Sequence, residues 1–212
     1  MTDGEYIFPF MTCETPNKDG VAQPYSTFFN LISCLIIFYF LLQTTNFHHF
    51  IFIFSIFCFQ LFHLFSHIIH IQGNIQTNVI HTLAYFVNIS LFYLLYHTTH
   101  TLPNYSFMTI LVFIVCFDLY SLFYLSTFYY VLSQAILLMS LLFYYYSLLP
   151  KMIQMNISKI ILAVVVAILL FLNENLNCKR MLSYSNFPYH ILPEISLIVV
   201  FYLICSHFYN FT

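Results

Sequence analysis

Long apolar runs separated by short polar breaks set the organisation of this chain. Seven segments approach the roughly 20 apolar residues that an α-helix needs to cross a bilayer core. They are residues 27–43, 49–71, 77–97, 105–124, 128–149, 157–173 and 188–210. The breaks are Gln43 to Asn46, Gln72 to Asn74, Thr98 to Asn104, Ser126-Thr127, Pro150 to Asn156 and Asn173 to Asn186. The seam near Tyr124 to Tyr130 is the shallowest of them. Connections this short join antiparallel neighbours and leave no room for a soluble domain. The pattern predicts an all-α polytopic membrane protein, a seven-transmembrane helix bundle over residues 27–212, preceded by an extramembrane segment, residues 1–26.

Composition supports that reading. Hydrophobic residues make up 61% of the 212 and charged residues only 6%, more apolar surface than a soluble domain can bury. A net charge of −2 excludes the basic surface that a nucleic-acid partner requires. The polar start, with Asp3, Glu5, Glu14 and Asp19 against Lys18, lacks the basic and apolar regions of a signal peptide, so the first span is expected to direct its own insertion. The basic residues Lys18, Lys151, Lys159, Lys179 and Arg180 divide between the two sides and barely orient the chain. Cys34, Cys58, Cys116 and Cys205 fall inside spans, whereas Cys13 and Cys178 fall in breaks that seven spans put on one face. A Cys13–Cys178 bridge is thus topologically possible and would place that face in an oxidising compartment; two unrelated thiols are the alternative.

The candidate chemistry lies inside the spans. His63, His67 and His70 stand at i, i+4 and i+7 on one helix face, with Ser66 one turn before His70. Ionisable groups in a span face the protein interior and mark a functional site by default; the plainer role is hydrogen bonding between helices. With the N-terminus on the outer face, one leaflet collects Ser66, His67, His70, His81, Asp118, His190 and Glu194. His48, His49, His97, His100 and His207 fall at the other end, most of them at loop edges. A metal between helices needs such one-sidedness: zinc takes three or four N, O or S ligands, and a catalytic zinc keeps one position for water. His190 and Glu194 are spaced i, i+4, although Pro193 between them is expected to distort the turn.

Short pieces in order along the chain resemble the alkaline ceramidases and the wider seven-span superfamily that includes the adiponectin receptors. These pieces are Cys13-Glu14, Phe28-Phe29-Asn30-Leu31-Ile32-Ser33, Ser66-His67-Ile68-Ile69-His70, Cys178, and Tyr189-His190-Ile191-Leu192. The resemblance implies zinc held by His70 and His190 with His81 or Glu194 as third ligand, Ser66 beside the metal, a Cys13–Cys178 disulfide, and calcium held near Glu14 and Asn17. It implies hydrolysis of the amide bond of a ceramide-like lipid, with His81 or Asp118 as general base. The chain is expected in an endomembrane or a viral or host membrane, with its N-terminus lumenal or extracellular. The chain departs from the family at Asn186, where a zinc histidine would stand, and at Thr27, where a Glu is expected. Those departures favour a second reading, a lipid-binding or receptor-like protein with an eroded catalytic set. A b-haem carrier would need histidine pairs at matching depths on facing helices, which the spacing does not provide. A transporter would show paired Gly- or Pro-broken spans, also missing.

Overall fold

The computed structural model describes residues 13–14, 17, 19–69, 74–99, 104–125, 127–149, 151–185 and 187–209. Apolar runs without internal breakers become helices: α1 (Pro24–Gln43), α2 (Phe47–Ile68), α3 (Asn74–Thr99), α4 (Asn104–Tyr124), α5 (Thr127–Tyr146), α6 (Lys151–Tyr184) and α7 (Ile191–Tyr209). No strand occurs among the described residues. The ends follow helix chemistry. Pro24 opens α1, where its missing N–H removes no intrahelical bond. Asn46 caps α2, its Oδ1 accepting from the N–H groups of His48 (2.9 Å) and His49 (3.4 Å).

Five helices are long and apolar enough to cross a membrane, those over Pro24–Gln43, Phe47–Ile68, Val79–Thr99, Gln154–Tyr184 and Ile191–Phe208. In α4 and α5 the stretches Tyr105–Ser121 and Leu132–Tyr146 are apolar but shorter. Large apolar side chains such as Phe28, Leu35, Phe113, Leu162 and Tyr202 face outward, while Asn30, Ser33, Gln60 and His67 are buried. That distribution suits an integral membrane protein, in which the surrounding solvent is apolar and the polar groups find one another inside.

The helices pack as a ring in the order α1, α2, α3, α5, α6, α7 and back to α1, with α2 also touching α7 across it. Helix α4 lies outside the ring, against α3 and α5. Inside is a cavity of about 280 Å³ bounded by α2, α3, α5, α6 and α7. Its floor is aromatic: Phe52, in the wall, meets Phe208 edge-on at 5.3 Å.

Two expectations need correction. The breaks foreseen from Pro150 to Asn156 and from Asn173 to Asn186 are helical, the first from Lys151 and the second as far as Tyr184, because α6 runs through both without interruption. Its polar extension contains no Gly or Pro, and polarity ends a membrane span without ending a helix. Pro193 does not disturb α7 as foreseen: it lies in the first turn, where an N–H has no intrahelical acceptor. His190 and Glu194 keep the i, i+4 relation. The Cys13–Cys178 disulfide is formed, with Cα atoms 5.5 Å apart, so Cys178 bonds from the polar end of α6 and not from a loop.

Candidate metal centre

The last turns of α2 and the first turn of α7 meet where the N-terminal segment crosses them. The N–H of Ala22 donates to the carbonyl of Ile68 (3.2 Å) and that of Gln23 to the carbonyl of His67 (3.0 Å). These bonds satisfy carbonyls at the C-terminal end of α2 that have no partner within the helix. The segment is held in turn by Glu14. Its Oε1 accepts from the N–H of Tyr25 (3.0 Å), and its Oε2 accepts from the N–H of Ser26 (3.0 Å) and from the Ser26 hydroxyl. A carboxylate on the first N–H groups of α1 is the favoured partner for that end of a helix.

Below this strap four side chains converge. His63 Nε2 lies 3.3 Å from His67 Nε2. Glu194 Oε1 lies 3.9 Å from His63 Nε2, 3.4 Å from His67 Nε2 and 3.0 Å from His190 Nε2. All four residues are buried, His67 and Glu194 almost completely.

The far sides of two rings fix their tautomers. His67 Nδ1 is 2.6 Å from Gln23 Oε1, while Gln23 Nε2 donates to the carbonyl of Glu14 (2.9 Å). An amide oxygen only accepts, so the proton of His67 sits on Nδ1. His190 Nδ1 is 2.8 and 2.9 Å from the two carboxylate oxygens of Glu174, which fixes its proton on Nδ1 likewise. Glu174 Oε1 also accepts from the N–H of Cys13 (2.6 Å), and Cys178 lies one turn further along α6.

The Nε2 atoms of His63, His67 and His190 all face the same carboxylate oxygen, His190 within hydrogen-bond distance of it. A carboxylate buried from water needs a countercharge, which a protonated imidazole or a bound cation can supply. The spacing fits a transition-metal ion. Two ligands at about 2.0 Å from a tetrahedral zinc stand ~3.3 Å apart, and the ligand atoms of His63, His67 and Glu194 lie 3.3, 3.4 and 3.9 Å from one another. The carboxylate and amide behind the imidazoles are the partners that orient histidine toward a metal.

The structure brings together two of the foreseen residues, His190 and Glu194, and joins them to His63 and His67. His70 and Asn186 lie outside the described residues. Ser66 is buried on α2, its hydroxyl donating to the carbonyl of Phe62 (2.9 Å). His81 lines the cavity from α3. Asp118 is buried on α4, accepting from Gln134 Nε2 at 2.7 Å, and does not line the cavity. Sequence reasoning missed Gln23 and Glu174. For Glu174 the signal was a lone acid one helical turn before Cys178. Glu14 lies in the foreseen segment near Asn17, but both of its oxygens serve the start of α1.

No protein-family model matches the chain, and neither a curated protein nor a solved structure shows a significant match to it.

Proposed function

We propose that the protein is a membrane-embedded, zinc-dependent hydrolase that cleaves the amide bond of a ceramide-type lipid, with seven membrane-spanning helices and the centre near the face that carries the N-terminal segment. The observation that carries this reading is the convergence of His63, His67, His190 and Glu194, with Gln23 and Glu174 behind two of the rings. His63, His67 and Glu194 are the proposed ligands, because their ligand atoms lie within 4.8 Å of one another and His67 carries the outer hydrogen bond typical of a ligand. When bound, zinc supplies a water of lowered pKa and polarises a carbonyl.

His190 lines the cavity and stands 3.0 Å from Glu194 Oε1, outside the group formed by His63, His67 and Glu194. It is therefore the proposed group for moving the proton between water and leaving amine. The apolar wall below, from Phe59 and Ile56 to Phe201 and Ile204, is the proposed berth of a lipid chain. A cavity of about 280 Å³ suits one chain better than two. The Cys13–Cys178 disulfide supports a lumenal or extracellular position for this face.

A second reading is lipid binding without turnover, favoured by the departures from the family pattern at Asn186 and Thr27. Elemental analysis of the purified full chain tests the metal, and release of fatty acid from a labelled ceramide tests turnover. About one zinc per chain, with release abolished by chelation and restored by zinc, is the expected outcome. Zinc without release supports the binding protein. No metal in protein that retains bound lipid overturns the zinc mechanism.

A further inference from the structure

The lower cavity wall carries a polar group that the proposed reaction does not use. Asn88 of α3 and Gln134 of α5 line the cavity among Ala84, Val87, Leu138 and Val164. Asn88 Nδ2 donates to Gln134 Oε1, and Gln134 Nε2 donates to Asp118 Oδ1 at 2.7 Å. Asp118 is 2% exposed, and its Oδ2 has no hydrogen-bond partner among the described residues.

The direction of this relay matters. The carboxylate of Asp118 accepts, which turns the amide nitrogen of Gln134 toward it and the amide oxygen toward Asn88. Asn88 then gives its nitrogen to Gln134. Its carbonyl oxygen makes no hydrogen bond among the described residues, although the side chain is only 2% exposed and lines the cavity. An acceptor in an apolar wall, with an orienting chain of three side chains behind it, is suited to a ligand hydroxyl. Unmet, it weakens the binding of a purely hydrocarbon chain.

The depth identifies the part of the ligand concerned. His81 and Asn88 line the same cavity from one helix, seven residues apart, which places Asn88 about 10 Å from His81 along α3. Asn88 and Gln134 bond each other, Gln134 bonds Asp118, and neither amide is among the groups that face Glu194.

We propose that the cavity selects a lipid whose chain carries a hydroxyl at mid-length, donating to Asn88 Oδ1 and accepting from an amide N–H that Asn88 or Gln134 retains. The inference rests on the hydrolase reading only in taking the cavity as the berth of a lipid chain.

The test uses the full chain in detergent, with zinc content measured on the same sample, titrated with stearic acid and with a mid-chain hydroxystearic acid and followed by native mass spectrometry. The hydroxy acid is expected to bind roughly tenfold more tightly, the discrimination typical of one buried hydrogen bond. Asn88→Leu is expected to abolish the preference while keeping the affinity for stearic acid, and Gln134→Leu serves if that variant does not fold. Equal affinities in the unaltered protein, or a preference that survives either substitution, overturn the inference and leave the metal reading standing. Binding of neither acid also overturns it, and the zinc content then tells whether the hydrolase reading falls too.

Discussion

His63 and His67 are four positions apart on α2, and both meet Glu194 of α7. In the structure the carboxylate of Glu194 faces His63 and His67. His67→Ala is therefore expected to reduce bound zinc from about one per chain to near none; mass-spectrometric metal analysis of the purified variant decides. The i, i+4 spacing of His63 and His67 was legible as a shared face. The register was not, because it depends on how far α7 is shifted along α2, and nothing in either segment alone fixes that offset. Residues behind the centre were harder still to read. Glu174 lies 20 positions before Glu194 in a polar stretch, and only the fold turns it toward His190. Glu174→Gln removes the charged acceptor behind that ring and is expected to slow fatty-acid release from a labelled ceramide by about 10- to 100-fold.

Element boundaries were legible wherever an apolar run ended in a breaker, as at Asn46 before α2 or between Tyr124 and Thr127. They were misread where the chain stays helical after leaving the apolar region. Helix α6 has 34 residues, about 50 Å at 1.5 Å per residue, against a hydrocarbon core of about 30 Å. Its polar end holds Glu174 and Cys178 in fixed relation, so one rigid element both orients His190 and anchors the N-terminal segment. Asn177→Pro should break that relation at a cost of about 3 kcal/mol, and a thiol-labelling gel shift should reveal free Cys13 and Cys178. At the start of α1, Glu14→Gln should remove about 1 kcal/mol of helix-end stabilisation. That corresponds to a fall of about 2–4 °C in the melting temperature of a chain this size.

On the scale of the whole molecule, the proposed seven spans would put the two ends of the sequence on opposite sides. Tags at the N- and C-termini are expected to differ in protease accessibility in sealed vesicles, the N-terminal tag sharing the side of the Cys13–Cys178 bridge. Equal accessibility would leave an even number of spans and remove the seven-span arrangement. The bundle as a whole was legible because hydropathy reports spans one at a time. The ring order was not, and neither was the placement of α4 outside it, because helices that all face lipid on one side carry no label for their neighbours.

The metal centre draws its parts from both ends of the chain: Gln23 and the strap from the beginning, His67 from the second helix, Glu174, His190 and Glu194 from the last quarter. During synthesis the histidines of α2 are thus made long before Glu194 exists to face them, and the strap cannot be tied down until Cys178 has emerged. The site comes into being only once α7 has been made. Any ion it takes loads after that point, and a ribosome stalled before α7 leaves a chain that cannot assemble it.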